Sequence, residues 1–256
     1  MDLQLKGKRA IVTGGTRGIG RAIAETLADE GCNVAICARD TNQILEAVNA
    51  LKSKNVSAFG ETVDITDGDA LRKWIEKAGN EFGGLDVLIS SAGAMAIGAD
   101  IRSWEKNLNL DIFGAVNSIE AALPMLEASA RETGDAAIVA IGSAAAASAT
   151  QPSSYGAIKS ALVHYIKGLS KQNASKHLRA NVVSPGMVYF EDGIWNKIEQ
   201  QTPQFFKDSL ARNPMGRMAT PWEIAKAVVF LASPCSSFTS GINMLVDGAI
   251  TDRVNF

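Results

Sequence analysis

The fold is decided by Arg9-Ala10-Ile11-Val12-Thr13-Gly14-Gly15-Thr16-Arg17-Gly18-Ile19-Gly20. Arg9 to Thr13 is a short apolar run of the length of a buried strand. A helical pattern follows through Ile23, Ala24 and Leu27 to Gly31, which is placed as a C-cap. Between them, Gly14, Gly18 and Gly20 are spaced G-x-x-x-G-x-G. Glycine permits a tight turn and close backbone approach, and a helix N-terminus offers free N–H groups, so strand, turn and helix together form a phosphate cradle. A second apolar run, Asn33 to Ala38, comes at the spacing of a βαβ unit. Glycine triplets arise by chance in a chain with 23 glycines, so this one counts only because it lies between a strand and a helix.

Outward from this unit, apolar strands and amphipathic helices alternate with no linker or repeat. Strands are predicted near 8–13, 33–38, 56–62, 85–90, 136–142, 179–184 and 242–246. The expected fold is α/β: a doubly wound, mostly parallel seven-stranded sheet with helices on both faces, of Rossmann type. Residues 1–256 are expected to form one dinucleotide-binding and catalytic domain. The rhythm loosens over 187–213, where Tyr189, Phe190, Trp195, Phe205 and Phe206 cluster. They suit either an apolar lid over a substrate or a helical pair packed on the body.

Sites for NAD usually carry an acidic residue at the end of the second strand. Here Arg39 comes first and Arg17 stands in the glycine turn, which favours the 2′-phosphate of NADP(H) through charge-assisted hydrogen bonds. Asp40 is the contrary signal, unless it caps the helix predicted from Thr41.

Tyr155 and Lys159 stand four apart, on one face of a predicted helix, with Ser143 at the end of the strand from Ala136. A phenol ordinarily titrates near pH 10, and moving that to about 7 takes roughly 4 kcal/mol. A neighbouring ammonium, aided by a cationic nicotinamide, works in that direction. A serine hydroxyl, a phenol and an ammonium then suit proton transfer to or from an oxygen.

With these residues in view, the chain resembles the short-chain dehydrogenase/reductase family, in its single-domain branch, over nearly its whole length. The turn Thr13-Gly14 with Gly18 and Gly20 matches the family's cofactor motif, and Ser143, Tyr155 and Lys159 match its catalytic residues. The resemblance assigns Asn109, in Asn-Leu-Asp-Ile-Phe-Gly, as the active-site asparagine that holds a water linking the lysine to solvent. It assigns Asp64 to adenine, and Pro185-Gly186 to the nicotinamide. Gly216-Arg217, Glu223-Ile224-Ala225 and Val246-Asp247-Gly248 match the C-terminal pattern. The cofactor contacts it implies are Gly14, Thr16, Arg17, Gly18, Ile19, Gly20, Arg39, Asp64, Ile65, Ser91, Ala92, Gly93, Tyr155, Lys159, Pro185, Gly186 and Val188. It also implies a substrate loop at about 187–213 and a homotetramer. Three departures stand out: Ser90-Ser91-Ala92-Gly93 replaces Asn-Asn-Ala-Gly, Phe190 stands where a threonine usually follows Pro-Gly, and Ala249 replaces a final glycine.

The remaining features narrow the function. A net charge of −2 supplies no basic field for nucleic acid. No apolar run of ~18 residues suggests a membrane span. Cys32, Cys37 and Cys235 have no metal-ligand spacing and read as reduced thiols; with no signal-peptide pattern, the expected location is cytoplasmic. His164 and His177 form no zinc motif, and Ser143 lacks a G-x-S-x-G setting, so no metal site and no hydrolase triad is expected. The function read from the sequence is an NADP(H)-dependent carbonyl reductase or alcohol dehydrogenase. Its substrate is a small carbonyl or alcohol; resemblance of the C-terminal half to 3-oxoacyl-carrier-protein reductases adds a β-keto thioester. The rival readings are an NAD-dependent polyol or steroid dehydrogenase, a non-catalytic NADP sensor and a sugar-nucleotide epimerase. A sensor needs the glycine turn but not the phenol and lysine, and an epimerase usually carries a further C-terminal region.

Overall fold

Seven parallel strands form one sheet in the order β3-β2-β1-β4-β5-β6-β7 in a computed structural model that describes residues 2–148 and 152–254. The ends of the expected domain, residue 1 and residues 255–256, lie outside the described residues. The strands are β1 (Arg9–Thr13), β2 (Asn33–Ala38), β3 (Ala58–Thr62), β4 (Val87–Ser90), β5 (Ala136–Ile141), β6 (Leu178–Pro185) and β7 (Asn243–Val246). Each expected strand is present, and every pairing is parallel rather than mostly so. Parallel pairing forces a crossover between neighbours, and the helices supply it.

The helices are α1 (Gly18–Asp29), α2 (Thr41–Lys52), α3 (Gly68–Phe82), α4 (Ile101–Asn107), α5 (Gly114–Thr133), α6 (Ser154–Asn173), α7 (Ile194–Gln201), α8 (Pro203–Ala211) and α9 (Pro221–Ala232). A π-helical turn, Leu108–Phe113, joins α4 to α5. Side chains alternate across each strand, so the sheet has two apolar faces. Val12, Ile36, Ile89 and Val183 pack with α1, α2 and α9 on one face. Ile11, Ala35, Leu88 and Val182 pack with α3, α5 and α6 on the other. Being covered on both sides is why the strands read as nearly continuous apolar runs.

The sheet order reverses between β1 and β4. At such a switch point the two following loops diverge and leave a crevice beyond the strand ends. Thr13 holds the crevice floor: its Oγ1 accepts the Ser91 N–H at 3.1 Å.

Candidate active site

The glycine turn lies on one side of the crevice. Gly14 has φ +69° and Gly18 φ +53°, the left-handed region that side chains disfavour. Gly20 is needed for another reason. A Cβ there would lie 2.2 Å from the Gly14 carbonyl oxygen and 3.1 Å from Ser91 Oγ, so α1 approaches the turn only through a bare backbone. Thr16 is buried and donates to Gln43 Oε1 at 3.2 Å. Ile19 packs against the apolar face that carries α1.

Asp40 is the N-cap of α2, its carboxylate accepting the Gln43 N–H at 2.9 Å. Arg17 and Arg39 are both exposed, and neither is in a salt bridge among the described residues. Asp64 is exposed and accepts the Thr66 N–H and hydroxyl at 2.9 and 2.8 Å; these bonds hold its carboxyl below the usual range. Ile65 is buried beside Gly114.

On the far side, Ser91, Ala92 and Gly93 follow β4, and Ala92 packs against Gly14. Pro185 ends β6, and Gly186 packs so closely on Asp247 that a Cβ would meet its Cα at 2.7 Å. Val188 is buried and bridges to Ala219. The chain then brings the Phe190 ring over the glycine turn, where a Cβ on Gly18 would meet it at 2.6 Å. The segment after β6 therefore spans the crevice. The usual threonine position is filled by an aromatic ring facing the cradle.

Tyr155 and Lys159 stand together on α6, and Ser143 follows the end of β5, whose Ile141 carbonyl meets Lys159. Ser143 is half-buried just past β5, and its Oγ accepts the Ala145 N–H at 3.1 Å. Ser153 caps α6, so Tyr155 falls in its first turn, half-buried, with Lys159 one turn on. Lys159 is 5 % exposed. Its ammonium donates to the Ile141 carbonyl at 2.8 Å and lies 5.8 Å from the centre of the Tyr155 ring. Burial pulls the Lys159 ammonium down, but Asp111 and Tyr155 outweigh it and hold the group above its ordinary value.

Asn109 does not join them. It is exposed and makes no side-chain hydrogen bond among the described residues. The group that meets Lys159 from this element is Asp111, with Oδ1 2.8 Å from the ammonium. Helical geometry explains the correction. Asn107 and Asp111 are four apart and share the buried face, whereas Asn109, halfway between, points nearly opposite. Asn107, also unforeseen, is fully buried. It accepts the Ala96 N–H at 3.2 Å and donates to the Ala96 carbonyl and to Ser154 Oγ at 2.7 and 3.0 Å. It thereby ties the loop after β4 to the start of α6. A polar pair at i, i+4, Asn107 and Asp111, was the available signal in the sequence.

The aromatic residues of 187–213 pack mainly on one another. Tyr189 meets Phe206 edge-on at 6.0 Å, and Trp195 stacks on Phe205 at 6.4 Å. The Tyr189 hydroxyl donates to Glu199 and accepts from Asn196. Phe205 remains 53 % exposed, so this cluster sits on the surface rather than in the core. No group of three or more His, Cys, Asp or Glu among the described residues is arranged to share a metal ion. Cys32 and Cys37 are free, and burial pushes both thiols up to about 12.

A glycine turn at the switch point, with a phenol and an ammonium one helical turn apart beside it, defines a type of site that known proteins share. The family model described as enoyl-(acyl carrier protein) reductase matches residues 14–251. The chain belongs to the short-chain dehydrogenase/reductase family. Isoepoxydon dehydrogenase of Penicillium expansum is 35 % identical, over 96 % of this chain and 95 % of that one. The rhamnolipids biosynthesis 3-oxoacyl-[acyl-carrier-protein] reductase of Pseudomonas aeruginosa is 32 % identical, over 95 % and 96 %. Among solved structures, the RhlG/NADP active-site complex of Pseudomonas aeruginosa superposes with a TM-score of 0.89 at 31 % identity, covering 97 % of this chain and 98 % of that one. A short-chain dehydrogenase from Burkholderia cenocepacia in complex with NADP gives 0.84 at 27 % identity, covering 96 % and 99 %. Short-chain dehydrogenase/reductase proteins are oxidoreductases, and this chain carries their fold along its length. No helix among the described residues is long and apolar enough to cross a membrane.

Proposed function

We propose that this protein interconverts a ketone and a secondary alcohol, using NADP(H), with Tyr155 as the general acid and base. The observation that carries the reading is the buried Lys159 ammonium, fixed on the Ile141 carbonyl and set beside the Tyr155 ring. Burial and the Ile141 carbonyl keep the ammonium in place, and with Asp111 beside it the pair sets the field at the phenol. Ser143, at the end of β5, is the donor for the substrate oxygen. In reduction, the Tyr155 O–H bond breaks as an O–H bond forms on that oxygen.

The crevice suits a dinucleotide by its bare backbone: the positive φ of Gly14 and Gly18 and the close approach of α1 at Gly20 keep the turn free of side chains of its own. Such a cofactor, when bound, supplies or accepts the hydride. Gly14, Thr16, Arg17, Gly18, Ile19 and Gly20 would hold its phosphates. Asp64 and Ile65 would face the adenine end, and Ser91, Ala92, Gly93, Pro185, Gly186 and Val188 the nicotinamide end. Arg17 and Arg39, free of carboxylate partners among the described residues, suit a 2′-phosphate. NADP in the Pseudomonas and Burkholderia complexes supports that choice.

The 3-oxoacyl and isoepoxydon names of the relatives support a carbonyl or alcohol substrate, with a β-keto thioester among the first to try. Residues 187–213 form the substrate loop. Exposed Ile101, Trp104, Leu108 and Phe113 along α4 and the π turn suit contacts between copies, in keeping with a homotetramer. The test is a panel of ketones, steroids, polyols and β-keto thioesters with NADPH and NADH. Turnover of a ketone or β-keto thioester with NADPH favoured is expected. Dinucleotide binding without turnover on any member would instead make the protein a sensor. Turnover favouring NAD with polyols or steroids would overturn the cofactor assignment.

A further inference from the structure

On the reading above, Lys159 is the cation of a proton-transfer site. The structure gives that cation a buried counter-ion. Asp111 Oδ1 lies 2.8 Å from the ammonium, with the two side chains 0 % and 6 % exposed. The contact is an ion pair off the hydrogen-bonding direction, since Oδ1 has no hydrogen-bond partner among the described residues. Oδ2 accepts the Ala94 N–H at 3.0 Å. Gly93 roofs the pair: a Cβ there would lie 2.7 Å from Asp111 Oδ1 and 3.7 Å from Lys159 Nζ. A carboxylate thus stands directly beneath the crevice, sealed from the water and salt that would screen it.

We propose that Asp111 is a positioning residue that holds Lys159 and cancels its charge, so that Tyr155 stays protonated through neutral pH and the site donates protons readily but accepts them only in alkaline conditions. The physics is one of sign. Lys159 alone favours a negative phenol oxygen, and a carboxylate at the same spot disfavours it. The pair presents the phenol with a dipole rather than a cation, and that field falls off faster than a charge. Asp111 does not alter the overall equilibrium of the reaction; it sets the pH window in which each direction runs.

No other charge on the neighbouring elements offsets the pair. The segment 136–148, with β5 and Ser143, has no titratable side chain, and Asp135 just before it pairs with Arg179 of β6. The loop 91–99 has none. On α4, Arg102, Glu105 and Lys106 are exposed, and Lys176 after α6 pairs with Glu127 of α5. On α6 itself, His164, Lys167 and Lys171 are exposed. The charges acting on Lys159 are those of Asp111 and Tyr155.

The inference rests on the proposed proton-transfer role, so the experiment has one readout with turnover and one without. In Asp111→Asn the carboxylate charge is lost at nearly constant shape. The pH profile of alcohol oxidation should move to lower pH by about one unit or more. Without substrate or cofactor, the ultraviolet step of tyrosinate formation that is missing in Tyr155→Phe should move the same way. If Asp111→Asn fails to fold, Asp111→Ser removes the same charge and should give the same shifts. A wild-type Tyr155-dependent step below neutral pH would overturn the inference with no variant at all. Folded variants whose profile and ultraviolet step both stay in place, or move to higher pH, also overturn it while leaving the oxidoreductase reading intact. The ultraviolet shift without any turnover would sustain the charge cancellation and count against the oxidoreductase reading alone.

Discussion

A methyl group on Gly20 would sit 2.2 Å from a backbone oxygen of Gly14, an atom that cannot swing aside. Gly20→Ala should therefore deform the turn, at a cost of about 1–3 kcal/mol, and weaken NADPH binding. Thermal melting and NADPH fluorescence titration check this; an unchanged melt and affinity would show that the turn yields freely. Arg39 offers a test of the cofactor reading. Arg39→Ala should raise the KM for NADPH roughly tenfold, the loss of about 1.4 kcal/mol, and leave that for NADH nearly unmoved. An equal change in both would mean that Arg39 does not face a 2′-phosphate. At this scale the sequence was legible wherever the backbone dictates the residue, as at Gly14 and Gly18 with their positive φ. It was less legible where a helix face decides. Asn109 and Asp111 are two positions apart, and only the register of the π turn exposes the first and buries the second against Lys159. The meeting of Phe190 with Gly18 is a long-range contact that no local pattern encodes.

Elements are placed by a few strong ties, and one of these can be titrated. Asp86, at the foot of β4, accepts from the Arg9 N–H and Nε, both at 2.8 Å, and from Ser129 of α5. Burial works against its charge, but the bonds from Arg9 and Ser129 prevail and hold its carboxyl below the usual range. A depressed carboxyl stabilises the fold above its unfolded value of 3.8, and that contribution fades as pH falls through the lower folded value. Asp86→Asn should cost roughly 2 kcal/mol at neutral pH. Urea unfolding should show the gap between wild type and variant narrowing below about pH 4. A gap constant with pH would assign the loss to packing. Strands and caps were readable at this scale because local chemistry sets them: Asp40 was recognisable as a possible cap of α2, and its carboxylate accepts the Gln43 N–H there. The aromatics at 189–206 were not readable, since edge-on and stacked packing among themselves satisfies the same spacing as a lid.

For the whole molecule, alternation of strand and helix sufficed to foretell a doubly wound sheet, because parallel neighbours demand crossovers and both faces must be covered. The order β3-β2-β1-β4 then fixes where chemistry can occur, since it opens the crevice between the glycine turn and the loop after β4. β5 and α6 deliver Ser143, Tyr155 and Lys159 to that same edge of the sheet. The central claim is that Tyr155 moves a proton while the crevice binds the dinucleotide independently of it. The most direct measurement compares kcat for carbonyl reduction with the NADPH dissociation constant in wild type and Tyr155→Phe. In Tyr155→Phe, kcat should fall on the order of 100- to 10,000-fold with NADPH affinity close to wild type. Turnover that survives the loss of the hydroxyl would contradict it.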